Sequence, residues 1–413
     1  MTSGLSFLIA ARQCEIDELE QLARTSALVD AVSRFAHALQ RERGASNLLL
    51  ASRGTRFADV LEALVHDSLQ HEQQVRAAFD ALDLSPMRNG TRLFSRIAFV
   101  LHGLDTLPGL RARIGALALG PQEATAAFVR LIGGLLAVVF EAADGATDPQ
   151  ISRALVALFN LMQGKEFAGQ ERAHGSACFA AGHADAARQQ QWLHLIELQE
   201  RSFQVAADFW SPAIQSAWLA LAQASTMAEL ERLRRIGCAL RAGASLDPEL
   251  AQRWYDTCTH RIDGMRTVEE ALAAWLHQLC ESRIADAQAE LRDQQALQAR
   301  LEAGPAVPAA TPATAEATAY GPQVERSVLA LLQEQTQRLQ AMGDELETAR
   351  AALTERKEIE RAKGLLMAHR RLTEDEAYKM LRQTAMQQNR RVADVARAVL
   401  AMADYLPAPP TAG

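Results

Sequence analysis

The chain has 413 residues, 49% apolar and 5% aromatic, with 43 Lys+Arg against 50 Asp+Glu and a net charge of −7. That length and apolar share suit two or three domains with sizeable cores, and the dominance of Ala and Leu over β-branched runs points to an all-α protein. The five cysteines, at 14, 178, 238, 258 and 280, form no Cys-x-x-Cys pair, which excludes a thiolate metal site and reads as reduced thiols in the cytoplasm. The longest apolar run, Leu131 to Phe140, falls short of the roughly 20 residues a bilayer needs, so no membrane partner is expected. No basic-then-apolar segment opens the chain, so no export is expected either.

From the N-terminus the chain reads as helix after helix. Breaks fall at Ser85-Pro86-Met87-Arg88-Asn89-Gly90, Gly120-Pro121, Asp148-Pro149, Ser211-Pro212 and Asp247-Pro248. Pro after Asp or Ser is an N-cap followed by a first-turn residue, so several of these are helix starts. Long helices with short connections imply antiparallel bundles.

Two arginines stand out in this region. Phe35, Leu39, Arg43 and Leu50 share one side of the first helix, so Arg43 lies on an apolar face while Arg41 points elsewhere. Leu158, Met162, Lys165, Gly169, Arg172, Ser176 and Phe179 recur at steps of four and three, which places Lys165 and Arg172 in an inward stripe beside Gly164, Ala168 and Gly175. A buried guanidinium requires a counter-charge, and Arg also grips planar oxyanions through parallel hydrogen bonds. Arginines converging without matching carboxylates would make a small-anion site. The competing reading pairs each with an internal Glu42, Glu166 or Glu171, or sends it to the surface.

Arg41-Glu42-Arg43-Gly44-Ala45-Ser46 and Lys165-Glu166-Phe167-Ala168-Gly169-Gln170-Glu171-Arg172-Ala173 resemble motifs of the NIT domain, a helical nitrate- and nitrite-sensing domain. So do Glu231-Arg232-Leu233-Arg234-Arg235, Trp254 with Thr259, Arg261-Ile262-Asp263 and Val268-Glu269. The resemblance implies a sensor, over residues 1–301, in which arginines grip nitrate or nitrite. Arg43 and Arg172 match motif positions. For a third arginine, phasing with Met227, Leu230, Leu233 and Gly237 favours Arg234, whereas the spacing expected of the family favours Arg232 or Arg235. Arg232 and Arg235 are taken as the candidates, with the register open.

Trp254 to Leu301 reads as a long exposed helix. Residues 302–323 turn to Ala, Pro, Thr and Gly, a mobile linker that cannot form a core. Beyond it Val328, Leu332, Gln335, Leu339, Met342, Leu346, Ala349 and Leu353 form a heptad seam, so residues 324–352 are expected to be a coiled-coil helix that makes a homodimer. A single amphipathic helix lying against the sensor is the other reading of that seam.

Residues 353–406 hold three short helical patterns. Ile359, Ala362, Leu366 and Met367 make the first face. Thr373 with Glu376 is a capping-box start for the second, which turns Ala377, Met380, Leu381 and Ala385 inward. Val392, Val395, Ala396, Val399 and Leu400 make the third, stopped by Pro407, Pro409 and Pro410. This stretch carries 11 Lys+Arg against 8 Asp+Glu, leaving 32 against 42 elsewhere, so a basic module sits on an acidic chain. That balance fits a nucleic-acid-facing surface, or an ordinary solvated bundle. Ile359, Ala362-Lys363-Gly364, Leu366-Met367, Glu376-Ala377-Tyr378, Leu381-Arg382, Ala385-Met386, Asn389-Arg390-Arg391 and Val395-Ala396 resemble the ANTAR domain, the RNA-binding module of a class of transcription antiterminators.

Catalysis is not expected. No Gly-rich phosphate loop precedes Lys-Ser or Lys-Thr, no His-Glu-x-x-His or Gly-x-Ser-x-Gly occurs, and His174, His183 and His194 read as helix-surface residues. The two resemblances together imply a nitrate- or nitrite-sensing transcription antitermination regulator, with no cofactor beyond its effector anion. It would hold hairpins in nascent leader RNA when the sensor holds the anion, through Arg356, Lys357, Lys363, Arg382, Arg390 and Arg391, with no DNA partner. The alternative is a ligand-gated dimeric adaptor acting through protein contacts.

Overall fold

The computed structural model describes residues 4–55, 57–82, 90–239, 245–302, 322–370, 372, 374–388 and 390–401. Among them the regular structure is helical throughout, with one isolated bridge between His183 and Ser245 and no strand. The helices are α1 Gly4–Ala51, α2 Ala58–Asp80, α3 Gly90–Gly115, α4 Pro121–Gly145, α5 Pro149–Ala181, α6 Ala186–Ala207, α7 Pro212–Ala222, α8 Ser225–Ala239, α9 Leu250–Glu302, α10 Pro322–Arg370, α11 Glu374–Gln388 and α12 Val392–Ala401. The chain divides into two compact units, Met1–Met342 and Gly343–Gly413.

Prolines set the helix starts largely as their neighbours require. Asp148 Oδ1 accepts from the backbone N–H groups of Gln150 and Ile151 at 2.9 and 3.0 Å, and Ser211 Oγ accepts from Ile214 at 3.5 Å. These bonds satisfy donors that the first helical turn leaves free. Asp247 behaves differently: it accepts from Glu249 at 3.0 Å, and α9 begins only at Leu250, so the side chain closes a turn ahead of the helix. Of the break at 85–90 only Gly90, the first residue of α3, lies within the described residues.

In the first unit α5 is the central helix. From Ala154 to Met162 every residue is buried, because α1, α4, α6, α8 and α9 pack around it. A helix apolar on all sides requires such a surround. α4 is long and apolar enough to cross a bilayer, longer than the run read from the sequence, and 61% of its apolar window is buried inside the protein. It packs on α1, α3 and α5.

α9 corrects the expectation of an exposed helix. Trp254, Cys258, Ile262, Met265, Val268, Leu272, Leu276, Cys280 and Ala287 form a buried stripe that packs on α1 and α5. Its polar second half had masked this stripe, whose steps of three and four continue well past Trp254.

Beside α5 the Trp192 and Trp254 rings meet edge to face, with centroids 4.9 Å apart, and Phe179 closes the cluster. Gly175 makes room for both indoles. A Cβ there would lie 2.5 Å from Trp254 Nε1 and 2.7 Å from Trp192 Cζ2.

The second unit is built on a small core of Ile359, Ala362, Leu381, Ala385, Ala393, Val395 and Ala396. Its first helix is the end of α10, continuous with the heptad stretch. Met367 is exposed, against expectation, because one residue beyond Leu366 turns it about 100° off the inward face. Leu339 of the seam is exposed, and Ala349 and Leu353 are buried. The side chains of Val328, Leu332 and Gln335, the linker 303–321, Thr373 and the prolines after Leu406 lie outside the described residues.

Gly175→Val is expected to cost about 1–3 kcal/mol by overpacking the indole pair. Urea denaturation followed by tryptophan fluorescence measures it; an unchanged midpoint would show that the cluster repacks freely.

Candidate functional site

α1, α5 and α9 meet along a polar seam inside the otherwise apolar first unit. Each supplies residues at helical spacing: Ser33, His37, Gln40 and Arg43 from α1, Lys165, Glu166, Gly169 and Arg172 from α5, and Tyr255, Thr259, Arg266 and Glu269 from α9. The inward phase of Arg43 and Arg172 holds: both are at most 3% exposed. Arg41 points outward, toward Asp67.

Arg172 spans the seam. Its Nη1 donates to Thr259 Oγ1 at 2.9 Å, its Nη2 donates to the Gln40 carbonyl at 3.2 Å, and its Cζ stands 4.9 Å from the Tyr255 ring centroid. No carboxylate among the described residues forms an ion pair with it. Burial, and the Arg43 charge nearby, lower its pKa.

Arg43 is differently placed. Its Nη1 pairs with Glu166, which also accepts from Gln40 Nε2 at 3.0 Å and Gln170 Nε2 at 2.9 Å. Of the two sequence readings, pairing with an internal glutamate therefore holds for Arg43 and not for Arg172. Arg43 Nη2 is buried and has no hydrogen-bond partner among the described residues. Two glycines bring the guanidinium groups together. A Cβ on Gly169 would lie 2.5 Å from Arg43 Nη2, and one on Gly44 would lie 2.7 Å from Arg172 Nη2 and 3.1 Å from Tyr255 Oη.

Further along the seam Lys165 pairs with Glu269, which also bonds Ser33 and accepts from Arg266 at 2.9 Å. Burial outweighs Glu269 and lowers the Lys165 pKa. His37 is driven down to about 2, first by burial and then by the charges of Lys165, Arg266, Arg41 and Arg172. The imidazole is therefore neutral at every physiological pH. The seam is thus electropositive, and Arg172 is its uncompensated charge.

The Arg232–Arg235 segment of α8 belongs to another cluster. Arg232 is 47% exposed and pairs with Glu229 at 2.8 Å, and Arg235 is exposed. Arg234 is the side chain that turns inward, as the apolar phasing favoured. Its Nε and Nη2 grip Glu171 at 2.8 and 2.7 Å. Burial opposes the Arg234 charge, yet Glu171 raises its pKa; burial likewise opposes the Glu171 carboxylate, whose pKa Arg234 lowers. Glu171 also accepts from Trp192 Nε1 at 3.1 Å and Gln199 Nε2 at 2.7 Å. Arg261 reaches Gln199 Oε1 at 2.8 Å, and burial lowers its pKa to about 10. The structure therefore brings Arg43 and Arg172 together and leaves Arg232 and Arg235 apart from them.

Sequence reading missed Gln40, Tyr255 and His37. Gln40 stands three residues before Arg43 and Tyr255 four before Thr259, so helical spacing from the motif residues was the available signal. His174, expected on the surface, is half-buried, with Nε2 2.8 Å from the Arg188 carbonyl and its ring edge-on to Trp192. No cluster of potential metal ligands occurs among the described residues.

In the second unit Lys363 is 8% exposed, its Nζ 6.0 Å from the Tyr378 ring centroid. Lys357 and Arg382 are half-buried, and Arg390 and Arg391 are exposed just ahead of α12. Arg391 pairs with Glu355 at 2.9 Å. The Arg356 side chain lies outside the described residues.

A family model described as nitrate and nitrite sensing, NIT, matches residues 34–277, and the ANTAR domain model matches residues 347–400. The chain belongs to the NIT–ANTAR family of antitermination regulators. It is a nitrate-sensing regulator and not an enzyme. The nitrate regulatory protein of Klebsiella oxytoca is 34% identical over 390 residues, which cover 94% of this chain and 93% of that protein. A solved structure of the NasR transcription antiterminator is similar at a TM-score of 0.62 and 32% identity, covering 97% of this chain and 99% of that one. In this NIT–ANTAR chain the first model spans the α1–α5–α9 seam and the second spans the α10–α12 core.

Arg234→Ala is expected to leave the buried Glu171 with Arg261, at 3.9 Å, as its remaining cation and to cost about 3 kcal/mol. Arg232→Ala, at the surface, is expected to leave the melting temperature where it is. Equal melting temperatures for the two variants would mean that the Glu171 cluster contributes nothing to the fold.

Proposed function

We propose that the sensor takes one nitrate or nitrite ion between Arg43 and Arg172, and that this governs how the C-terminal module holds hairpins in a leader transcript. The observation that carries the site is Arg172, a buried cation with no carboxylate partner, beside the unpartnered Nη2 of Arg43. A small monovalent anion supplies the missing charge and accepts hydrogen bonds from both guanidinium groups. Two N–H forks favour a planar oxyanion over a spherical halide, because each fork presents paired donors in one plane. The proposal leaves out Arg232 and Arg235, which are exposed.

For the RNA the proposal keeps Lys357, Lys363, Arg382, Arg390 and Arg391, with Arg356 at the upstream end. Arg390 and Arg391 are the most open of these and suit phosphate oxygens, while Lys363 over Tyr378 suits the junction between a base and its backbone. Dimerisation through the heptad stretch 324–352 and residence in the cytoplasm complete the proposal.

Calorimetry with nitrate, nitrite, chloride and sulfate tests the sensor. Arg172→Ala is expected to abolish the nitrate heat while the chain stays folded, since it removes a charge that has no mate, at the cost of a cavity in the seam. Arg43→Ala is expected to abolish the heat and lower the melting temperature, since it strands Glu166. Nitrate heat undiminished in Arg172→Ala would refute the site.

For the module, Arg390→Ala combined with Arg391→Ala is expected to weaken all RNAs alike. The slope of log affinity against log salt should shrink by about 1–2, one phosphate contact for each arginine. Filter binding over a salt series reads this directly, and a wild-type slope would remove both arginines from the interface.

A further inference from the structure

We propose that Glu166 is the resident competitor of the sensed anion: its carboxylate pairs with Arg43 and must yield when the anion enters, so Glu166 sets the affinity of the site. This rests on the placement of the anion between Arg43 and Arg172.

A glutamate carboxylate and the sensed ions belong to one chemical class. Each is planar and singly charged, with oxygens about a carbon–oxygen or nitrogen–oxygen bond from a central atom. Arg43 already spends Nη1 on such a group and leaves Nη2 unpartnered. The guanidinium is therefore half-engaged, and an oxyanion that enters end-on, through Nη1 and Nη2 in parallel, takes the nitrogen that Glu166 holds. Two anions on one arginine inside a protein repel each other strongly, since little solvent screens them.

Glu166 has somewhere to go. Its oxygens also accept from Gln40 Nε2 at 3.0 Å and Gln170 Nε2 at 2.9 Å, and these neutral amides can keep the carboxylate hydrogen-bonded after Arg43 has turned away. Gln40 gives the exchange a mechanical consequence. Its side chain holds Glu166, while its carbonyl accepts from Arg172 Nη2 at 3.2 Å. A shift of Glu166 therefore draws on the same residue of α1 that Arg172 ties to α5. Charge counting agrees. Arg43 and Arg172 carry two positive charges against the one of Glu166, so the site accepts a single monovalent anion and disfavours sulfate.

A carboxylate that merely oriented Arg43 would have the opposite effect when removed. Its loss would loosen the guanidinium and weaken the anion. The sign of the change in affinity therefore decides between the two roles.

The test is nitrate calorimetry on the full chain with Glu166→Gln and with Glu166→Asp, in chloride-free buffer, each variant checked by circular dichroism. Glu166→Gln is expected to tighten nitrate binding on the order of ten- to a hundredfold, the effect of deleting one buried negative charge a few ångströms from the ion. Glu166→Asp keeps the charge but draws the carboxylate back from Arg43 by one methylene, and is expected to tighten binding severalfold. Nitrate binding in Glu166→Gln that is unchanged or weaker than wild type overturns the inference while leaving the anion site intact. If Glu166→Gln does not fold, Glu166→Asp decides: tighter binding supports the competitor, and equal or weaker binding refutes it. Absence of nitrate heat from wild type and variants alike removes the anion site itself, and the competitor with it.

Discussion

The charge on Arg172 is the constraint around which the first unit is arranged. A guanidinium sealed between three helices loses its water, and the cost is several kcal/mol unless other groups replace that solvation. Here the replacements are all neutral: the carbonyl of Gln40, the hydroxyl of Thr259 and the face of the Tyr255 ring. They solvate the ion without cancelling it. A carboxylate in place of the Thr259 hydroxyl would cancel the charge that these neutral groups leave standing.

The rest of the packing can be read as what makes that arrangement tolerable. Gly44 and Gly169 carry no side chain where the guanidinium groups cross. Trp254 donates from Nε1 to the Arg172 carbonyl at 3.0 Å and fixes that turn of α5 against α9. The neighbouring Glu171 faces the other way and is held by Arg234, Trp192 and Gln199. Two adjacent residues of α5 thus carry opposite fates. One charge is bonded on all sides and ties α5 to α6 and α8. The other is left in excess and ties α5 to α1 and α9. The contrast separates a fully paired part of the bundle from a seam that carries a charge in excess.

α1 and α9 also meet far from the seam. Arg12 on α1 pairs with Glu290 on α9, and Arg338 of α10 bonds Glu290 at 2.9 Å and Glu15 of α1 at 3.1 Å. Both helices therefore run from the candidate anion site to a cluster of ion pairs that includes the first half of α10. Arg12 is buried in that cluster, whereas Glu290 and Arg338 are partly open to water.

Much of this was legible in the sequence. Composition and the Asp-Pro and Ser-Pro steps led to the helices, the phase of Arg43 with Phe35 and Leu39 turned it inward, and ordered motifs pointed to both domain families. Those signals are local: a helix face, a cap and a motif are each set by residues within a few turns of one another. The pairing of buried charges was not legible, because carboxylate and guanidinium come from different helices, 63 to 123 residues apart in the chain. Only the tertiary structure decided that Glu166 goes to Arg43, Glu171 to Arg234 and Glu42 to Arg111, and that Arg172 receives none. The same reason explains α8, where sequence offered three arginines in four positions and the packing of Leu233 and Leu230 against Trp192 selected Arg234 for the interior. Sequence determines which charges are carried inward; the crossing of helices determines which of them arrive unpaired, because electrostatic partnership depends on distance through space and not along the chain.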